Sequence, residues 1–272
     1  MIPVFVPSYQ RPNATFLKRS VLYEFPLYVF VREEEASDYA WLKKRPDTHI
    51  VKLKKVRNIG ETRQKMVNYA YSKGIDRIFM IDDDVGRLDF SVWDEEKQFV
   101  RASGTIMGEP QNWTDVLLYW EMLWGDEAMF GASYRPFSWS MKESDLGSCP
   151  RAQLQQAVGI NVKAIVEAGL NYKTSRLVGN EDLFLQLECY TYGLECVKTT
   201  EIQYDCTAMG VGKGGCNASE RGTIQEKQHR RVRKFQRACT HLGLIKVAMT
   251  RSGVESIKFD WKEIQEFMEG LK

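Results

Sequence analysis

Asp82, Asp83 and Asp84 close an apolar run, Ile78-Phe79-Met80-Ile81, and stand directly before Val85-Gly86. The pattern predicts a buried strand that delivers carboxylates into a loop at its carboxyl end. Like charges this close repel and raise one another's pKa unless a counter-charge lies between them. A divalent cation, Mg2+ or Mn2+, with the phosphates it holds, resolves that repulsion through hard oxygen ligands. Side chains alternate along an extended stretch, so Asp82 and Asp84 share a direction and Asp83 turns elsewhere, into a cap or a salt bridge. A solvated acidic turn is the plain alternative for such a triplet.

The elements that must position this trio alternate along the chain. Val4 to Pro7, Leu27 to Val31, His49 to Leu53 and Arg77 to Ile81 are short β-rich segments. Between them, Ala14 to Val21, Ala36 to Lys44 and Glu61 to Tyr71 have helical periodicity, which together is a βαβ signature. Apolar strands of this kind belong in a parallel sheet covered by helices on both faces, and right-handed crossovers bring their carboxyl ends to one edge. Ligands bind along that edge. Three segments mark it: Pro7 to Pro12 after the first strand, Arg32-Glu33 after the second, and the aspartates after the fourth.

Farther on, Asn112 to Trp124 reads as a helix, Met129 to Ala132 as a strand, and Ser133 to Pro150 as a polar aromatic stretch suited to an acceptor. Ala157 to Asn161 reads as a strand, Val162 to Ala168 as a helix and Glu181 to Tyr192 as a helix with Leu183, Phe184, Leu187 and Tyr190 at helical spacing. Asn180 is the expected N-cap of the last of these. A short strand at Cys196 to Thr199 precedes a glycine-rich segment. A long basic helix from Glu226 to Leu242, a strand at Ile245 to Met249 and an amphipathic helix from Lys262 to Leu271 complete the chain. No internal repeat is visible.

At 272 residues, with 43% hydrophobic and 27% charged residues, the chain is an ordinary folded protein and not a disordered one. The net charge of +2 hides a basic run, His229 to Arg237, against acidic clusters in the amino half. The six cysteines form no CxxC pair or regular framework, which predicts reduced thiols. The apolar start is too short and too uncharged for a secretory signal, and no run of about 18 apolar residues exists. A cytoplasmic protein without membrane partners is therefore expected, host cytoplasm if the source is viral. Its sequons at Asn13, Asn112 and Asn217 carry no meaning there.

The order of motifs resembles the GT-A glycosyltransferases: a nucleotide-binding half, an Asp-x-Asp sequence ending its last strand, then an acceptor half opening a helix with Glu-Asp. Here those are Asp82-Asp83-Asp84 and Glu181-Asp182, and the resemblance covers roughly residues 1–215. More narrowly, Val6 to Pro12, Arg57-Asn58-Ile59-Gly60-Glu61-Thr62-Arg63 and Asp82 to Val85 look like the phage TET-associated glycosyltransferases. That family is linked to sugar transfer onto 5-hydroxymethylpyrimidines in DNA. The implied fold is α/β, a GT-A-type Rossmann-like mixed sheet flanked by helices, with a C-terminal helical appendage. Residues 1–222 would form the catalytic domain, with 1–92 as the nucleotide-sugar half and 93–222 as the acceptor half and lid; 223–272 would be an extension packed on it.

The resemblance assigns roles. A nucleoside-diphosphate sugar, UDP-sugar foremost, would be the donor, with Mn2+ or Mg2+ stabilising the leaving diphosphate. In the family's pattern the first aspartate faces the ribose and the last binds the metal, so Asp82 and Asp84 are candidate ligands. Asp205 is a candidate third, where many relatives use histidine. The nucleotide-binding candidates are Pro7, Ser8, Tyr9, Arg11, Arg57, Arg63, Asp82, Asp83 and Lys213. Tyr9 would stack on the base, and Pro7 with Pro12 would stiffen its loop. Arg63, or alternatively Arg57, would neutralise diphosphate oxygens; an arginine paired with Glu61 or another neighbouring carboxylate is the other reading. Lys213 lies in Gly210 to Gly215, which matches GxGxxG by count but lacks the strand and the Ser/Thr of nucleotide loops and reads better as a lid.

Asp182 is the expected general base, and a helix N-terminus would lower its pKa and fix its direction. Glu181 is the runner-up, or a ligand of sugar hydroxyls. Lys227, Arg230, Arg231, Lys234 and Arg237 would form a positive stripe able to grip DNA phosphates. Tyr134, Phe137 and Trp139 could stack on an extruded base or pack in the core. Alternatives are a transferase acting on glycan or protein, and a non-catalytic DNA-binding protein of the same fold.

Overall fold

The computed structural model describes residues 1–104, 112–138, 141–149, 152–172, 177, 179–206, 221–250 and 253–271. Four parallel strands from the amino end, β1 (Val4–Pro7), β2 (Leu27–Arg32), β3 (Thr48–Leu53) and β4 (Arg77–Ile81), lie in the order β3-β2-β1-β4. Their side chains sort by alternation into two apolar layers, because successive residues of a strand face opposite sides. Phe5, Phe30, Ile78 and Met80 pack with Met66, Val67 and Ala70 of α2 (Ile59–Ser72). Val4, Val6, Val29, Phe79 and Ile81 pack with Phe16 and Leu17 of α1 (Thr15–Ser20) and with Tyr39 and Leu42 on the other face.

Tyr39 and Leu42 belong to a 3-10 stretch, Glu33–Lys44, where an ordinary helix was expected. Its buried residues Ala36, Tyr39 and Leu42 recur every third residue. That is the period of the tighter helix, in which i and i+3 eclipse.

The sheet then changes direction. β9 (Ala157–Asn161) runs antiparallel to β4, and β7 (Met129–Tyr134) antiparallel to β9; β10 (Cys196–Cys206) is parallel to β7. β5 (Val85–Asp94) and the edge strand β6 (Phe99–Ala102) complete the order, and β8 (Ser148–Cys149) pairs with β10 off the main path. The result is a mixed α/β sheet flanked by helices, among them α3 (Trp113–Leu123) and α4 (Val162–Glu167).

Sequence periodicity does not find β5 and β6, and it ends β10 at Thr199. β5 carries Asp89 and Asp94 inside the fold, where Arg87 and Ser103 bond the first and Arg101 the second. β10 shifts register between Lys198 and Gln203 and again between Asp205 and Cys206, which breaks the alternation a reader would follow.

Gly159 of β9 is required by packing, since a Cβ there would lie 2.6 Å from Cζ3 of Trp124. Trp124 is itself 4% exposed and stacks on Phe130, so it has little room to yield. Gly159→Ala should cost about 1–3 kcal/mol by overpacking. Urea unfolding would measure it, and a loss below a few tenths would show that Trp124 moves aside.

Beyond the sheet, α5 (Glu181–Thr191) carries a second apolar face, and the C-terminal segment closes over it. α6 (Ile224–Ala238) starts with a capping box between Thr223 and Glu226, two residues ahead of the expected start. It ends at Ala238 and not at Leu242, because Cys239 is extended and Leu242–Leu244 forms a separate turn. β11 (Ile245–Met249) and β12 (Glu255–Phe259) make a hairpin, followed by α7 (Trp261–Glu269). Val232, Phe235, Ile257, Phe259 and Ile264 from this segment share one core with Leu183, Phe184, Leu187 and Tyr190 of α5. Among the described residues no helix is long and apolar enough to cross a membrane. Cys189, Cys196, Cys206 and Cys239 are free thiols.

Candidate active site

The three aspartates occupy a tight turn between two strands. β4 ends at Ile81 and β5 begins at Val85, with the Val85 N–H donating to the Asp82 carbonyl at 3.1 Å. Gly86 is therefore strand, and the expected open loop is absent at this point. The Asp82 N–H is fixed by the Gln156 carbonyl at 2.8 Å, just ahead of β9.

Asp83 and Asp84 share Arg11 and Asp82 meets Arg63, so the turn breaks the alternation that would pair Asp82 with Asp84. Asp83, 4% exposed, accepts the Ser8 hydroxyl at 2.6 Å and Arg11 Nη1 at 3.1 Å. The same Nη1 donates to Asp84 Oδ2 at 3.1 Å, whereas Asp84 Oδ1 is buried with no hydrogen-bond partner among the described residues. Asp82 accepts Arg63 Nη2 at 2.9 and 3.2 Å. Tyr39 braces this corner from the 3-10 stretch, bonding Ser8 Oγ at 2.9 Å and accepting the Arg11 N–H at 3.1 Å.

Burial pushes the Asp82 carboxyl well above its usual range; Arg63 pulls it back, while Asp84, Asp83 and Glu181 push it up again. Burial also raises Asp83 to about 6, outweighing the Ser8 hydrogen bond and Arg11. A carboxyl raised on folding binds a proton that the unfolded chain has released, so its contribution to stability falls as pH rises from about 4 to about 6. Metal-free protein should therefore gain more melting temperature between pH 7 and pH 5 than an Asp83→Asn variant does. Equal gains in thermal scans would remove Asp83 as the cause.

The second acidic pair faces the trio across Arg63. α2 opens with Asn58, whose side chain accepts the Glu61 N–H at 2.9 Å, and Glu61 in turn accepts Arg57 Nε at 3.2 Å. Arg57 is exposed on this outer face, but Arg63, one turn into α2, is buried at 3% exposure. Its Nε lies 3.2 Å from Glu181 Oε1, so one guanidinium bridges Asp82 and Glu181. Gly60 permits this approach, because a Cβ there would come within 3.3 Å of Glu181 Cβ.

α5 is entered through two left-handed residues, Gly179 at φ +82° and Asn180 at φ +60°. Asn180 makes no side-chain cap, contrary to expectation, because its left-handed backbone departs from the extended geometry typical of an N-cap. Asp182 Oδ1 accepts the Leu183 N–H at 2.9 Å instead. Burial raises the pKa of both Glu181 and Asp182, with Arg63 and backbone amides pulling the other way. The expected lowering by the helix N-terminus is therefore present but outweighed, since desolvation of a carboxylate costs more than a few amide dipoles return.

Other expected residues lie around this centre. Pro7 ends β1 and is buried. The Tyr9 ring is covered by the Arg32 guanidinium at 3.9 Å. Asp205 pairs with Arg135 Nη1 at 3.0 Å, and among the described residues no three His, Cys, Asp or Glu side chains converge as a ready metal cluster. Tyr134 packs on Tyr204 with ring centroids 5.4 Å apart. Trp139, Lys213 with its glycine-rich segment, and the side chain of Phe137 lie outside the described residues. Arg231, expected in the outward stripe, is turned inward and 7% exposed, while Arg230, Arg233, Lys234 and Arg237 stay at the surface. Sequence reading also misses Tyr39 and Gln156. A signal for Arg231 exists: it precedes Phe235 by four residues and Ala238 by seven, on the buried helix face.

The donor set suits a hard divalent cation. Among the described residues Asp84 Oδ1 is a buried oxygen lacking any donor, and Arg11 and Arg63 are the counter-charges paired with Asp82, Asp83 and Asp84. A mixed sheet thus gathers these carboxylates and arginines at one edge, the edge along which α/β folds bind their ligands. Residues 2–215 match the family described as TET-Associated Glycosyltransferase, and the chain belongs to that family; it is a glycosyltransferase.

No curated protein matches the chain. Among solved structures it is similar to 4-diphosphocytidyl-2C-methyl-D-erythritol synthase from Anaerococcus prevotii, with 8% identity, TM-score 0.45, and coverage of 88% of this chain and 96% of that one. A197 from STIV is similar at 12% identity, TM-score 0.35, with 75% and 84% covered. Mouse xyloside xylosyltransferase 1 is similar at 10% identity, TM-score 0.31, with 72% and 77% covered.

Proposed function

We propose that the protein moves a sugar from a UDP-sugar to the hydroxyl of 5-hydroxymethylcytosine, or a related modified base, in phage DNA. The carrying observation is the buried Oδ1 of Asp84, without a hydrogen-bond partner among the described residues, beside Asp82 at the carboxyl edge of β4. Asp82 and Asp84 would hold Mn2+ or Mg2+, which when bound stabilises the charge growing on the departing diphosphate. Asp205 is the candidate for a further ligand if Arg135 releases it.

The chain's own residues do the rest. Arg11, whose side chain is 19% exposed in its ion pair with Asp84, would transfer its charge to donor phosphate oxygens. Asp182 spends Oδ1 on the Leu183 N–H, leaving Oδ2 to take the acceptor proton. As that proton leaves, the hydroxyl oxygen bonds the anomeric carbon, and the bond to the diphosphate oxygen breaks with its electron pair leaving on UDP. A carboxylate whose pKa is raised by burial is a stronger base than an ordinary aspartate.

The DNA acceptor draws support from family membership and from α6, where Lys227, Arg230, Lys234 and Arg237 recur along one side. A hydroxymethyl at pyrimidine C5 projects into the major groove, so the enzyme reaches it there or extrudes the base. Hydroxymethylcytosine DNA and unmodified DNA, incubated with a panel of UDP-sugars and Mn2+, should yield a glycosylated nucleoside by mass spectrometry from the first only. Product on an oligosaccharide or protein alone would overturn the acceptor. A salt-sensitive DNA shift without turnover of any donor would leave a binding protein.

A further inference from the structure

The C-terminal segment holds a groove of its own, about 430 Å³, between α6 and the hairpin of β11 and β12. α6 begins after residues 2–215, so the groove lies outside the stretch that matches the family. His229, Arg233, Gln236 and Arg237 form its helix wall, because residues three and four apart share a helix face. Val247 and Glu255 form the hairpin wall. The hairpin follows α6 to its first turn, where a Cβ on Gly253 would lie 4.0 Å from Gln225 Nε2.

Charge decides what such a groove can hold. Glu255 is the acidic member of the lining, and its carboxylate already meets His229 Nδ1 at 2.7 Å. Arg233 and Arg237 are exposed and, among the described residues, have neither an ion pair nor a hydrogen-bond partner. Neighbouring Arg230, by contrast, donates to the Arg221 carbonyl. Two open guanidinia thus line the groove beside one carboxylate that is engaged, and the uncompensated charge is positive.

Shape narrows the occupant. The polar lining is exposed or half-buried, too open to enclose a small anion, whereas a polyanion gains at each phosphate contact by releasing counterions. Arg233 and Arg237 stand one turn apart, about 6 Å along the axis. A DNA strand rises about 3.4 Å per nucleotide, so phosphates one or two nucleotides apart can meet both. The Gln236 amide adds a neutral donor. Val247, 41% exposed, and Met249, 63% exposed, share one side of β11 and offer an apolar strip to the sugar faces.

We propose that this groove seats the phosphate backbone of the acceptor DNA, so that the C-terminal segment acts as the clamp that holds the strand. The inference rests on the reading of DNA as the acceptor and adds where the strand lies: against the hairpin side of α6, with Arg237 shared between the groove and the outward stripe.

Fluorescence anisotropy of a short labelled duplex containing hydroxymethylcytosine, titrated with the full chain, tests this. Arg233→Gln combined with Arg237→Gln should weaken binding by about tenfold and lower the slope of log affinity against log salt by about 2. Lys43→Gln combined with Lys44→Gln removes the same charge from the exposed end of the 3-10 stretch and should leave affinity within about twofold. Glu255→Gln should tighten binding by about twofold, since it removes a negative charge from the groove. The arginine variant should melt like the wild type, because neither guanidinium has a partner to lose. Equal weakening by the arginine and lysine pairs would overturn the groove while sparing the DNA acceptor, as would an arginine variant that binds like the wild type. A weaker complex in a Glu255→Gln protein of normal melting temperature would also overturn it. Wild-type protein that ignores the duplex, or binds only vesicles of anionic phospholipid, would remove the DNA acceptor and the groove's occupant together.

Discussion

An Asp84→Asn protein is expected to keep its fold and to lose Mn2+-dependent hydrolysis of UDP-sugar by on the order of 100–1,000-fold, the usual cost of removing one preorganised charge-stabilising contact. Structure is spared because Arg11 retains Asp83 at 3.1 Å, and Asp83 retains the Ser8 hydroxyl at 2.6 Å. Removing one of three neighbouring negative charges also relieves repulsion, so the melting temperature should stay level or rise. Mn2+ binding, followed by calorimetry, should weaken in parallel with turnover. A variant that hydrolyses donor at the wild-type rate would sink the assignment of Asp84 as a cation ligand. Asp84 is a cleaner test than Asp82, whose loss would also release Arg63.

Replacing Arg63 by methionine should produce the largest loss of stability of any single change at this site. Its side chain is 4% exposed, Asp82 is 21% exposed and Glu181 5%, so two carboxylates lose their shared partner in a poorly solvated place. Breaking a buried pair by deleting one member costs about 3–5 kcal/mol, and the partly open Asp82 places this case toward the lower end. Chemical denaturation would measure it. A second consequence follows from the sign of the charge: Asp82, already raised to about 8, should hold its proton to higher pH in Arg63→Met, so the variant's stability should fall more than the wild type's as pH rises from about 7 to about 9. A loss under about 1 kcal/mol would mean that solvent reaches the pair and screens it.

Much of the fold is legible in the sequence where local pattern and burial agree. β1, β4, β9 and β11 have the expected limits because each is a short apolar or β-branched run bounded by turn residues. α2 is legible for the same reason, although its first turn is set by Asn58 and not by Glu61. The hidden elements are those where side-chain polarity conflicts with place. β5 buries Asp89 because Arg87 and Ser103 neutralise and bond it, and no composition rule predicts a buried aspartate. β10 is unreadable past Thr199 because register shifts destroy its period of two.

The acidic motifs themselves are visible in one dimension: three aspartates after an apolar strand, and a Glu-Asp pair before an amphipathic helix, need only residue order and periodicity to be recognised. Family resemblance follows from the same residues, and the match over residues 2–215 supports it. Tertiary structure alone decides how those charges are compensated. Arg11 and Arg63 are separated from the trio by whole strands and helices, and only the parallel order of β1 and β4, with α2 packed behind, brings their guanidinia within 3.1 and 2.9 Å of it. Likewise Arg231 lies against Gly179 because α6 packs over the entry to α5. Periodicity records which face of an element is apolar, but ion pairing depends on distances between elements, and those are fixed by packing of the whole chain.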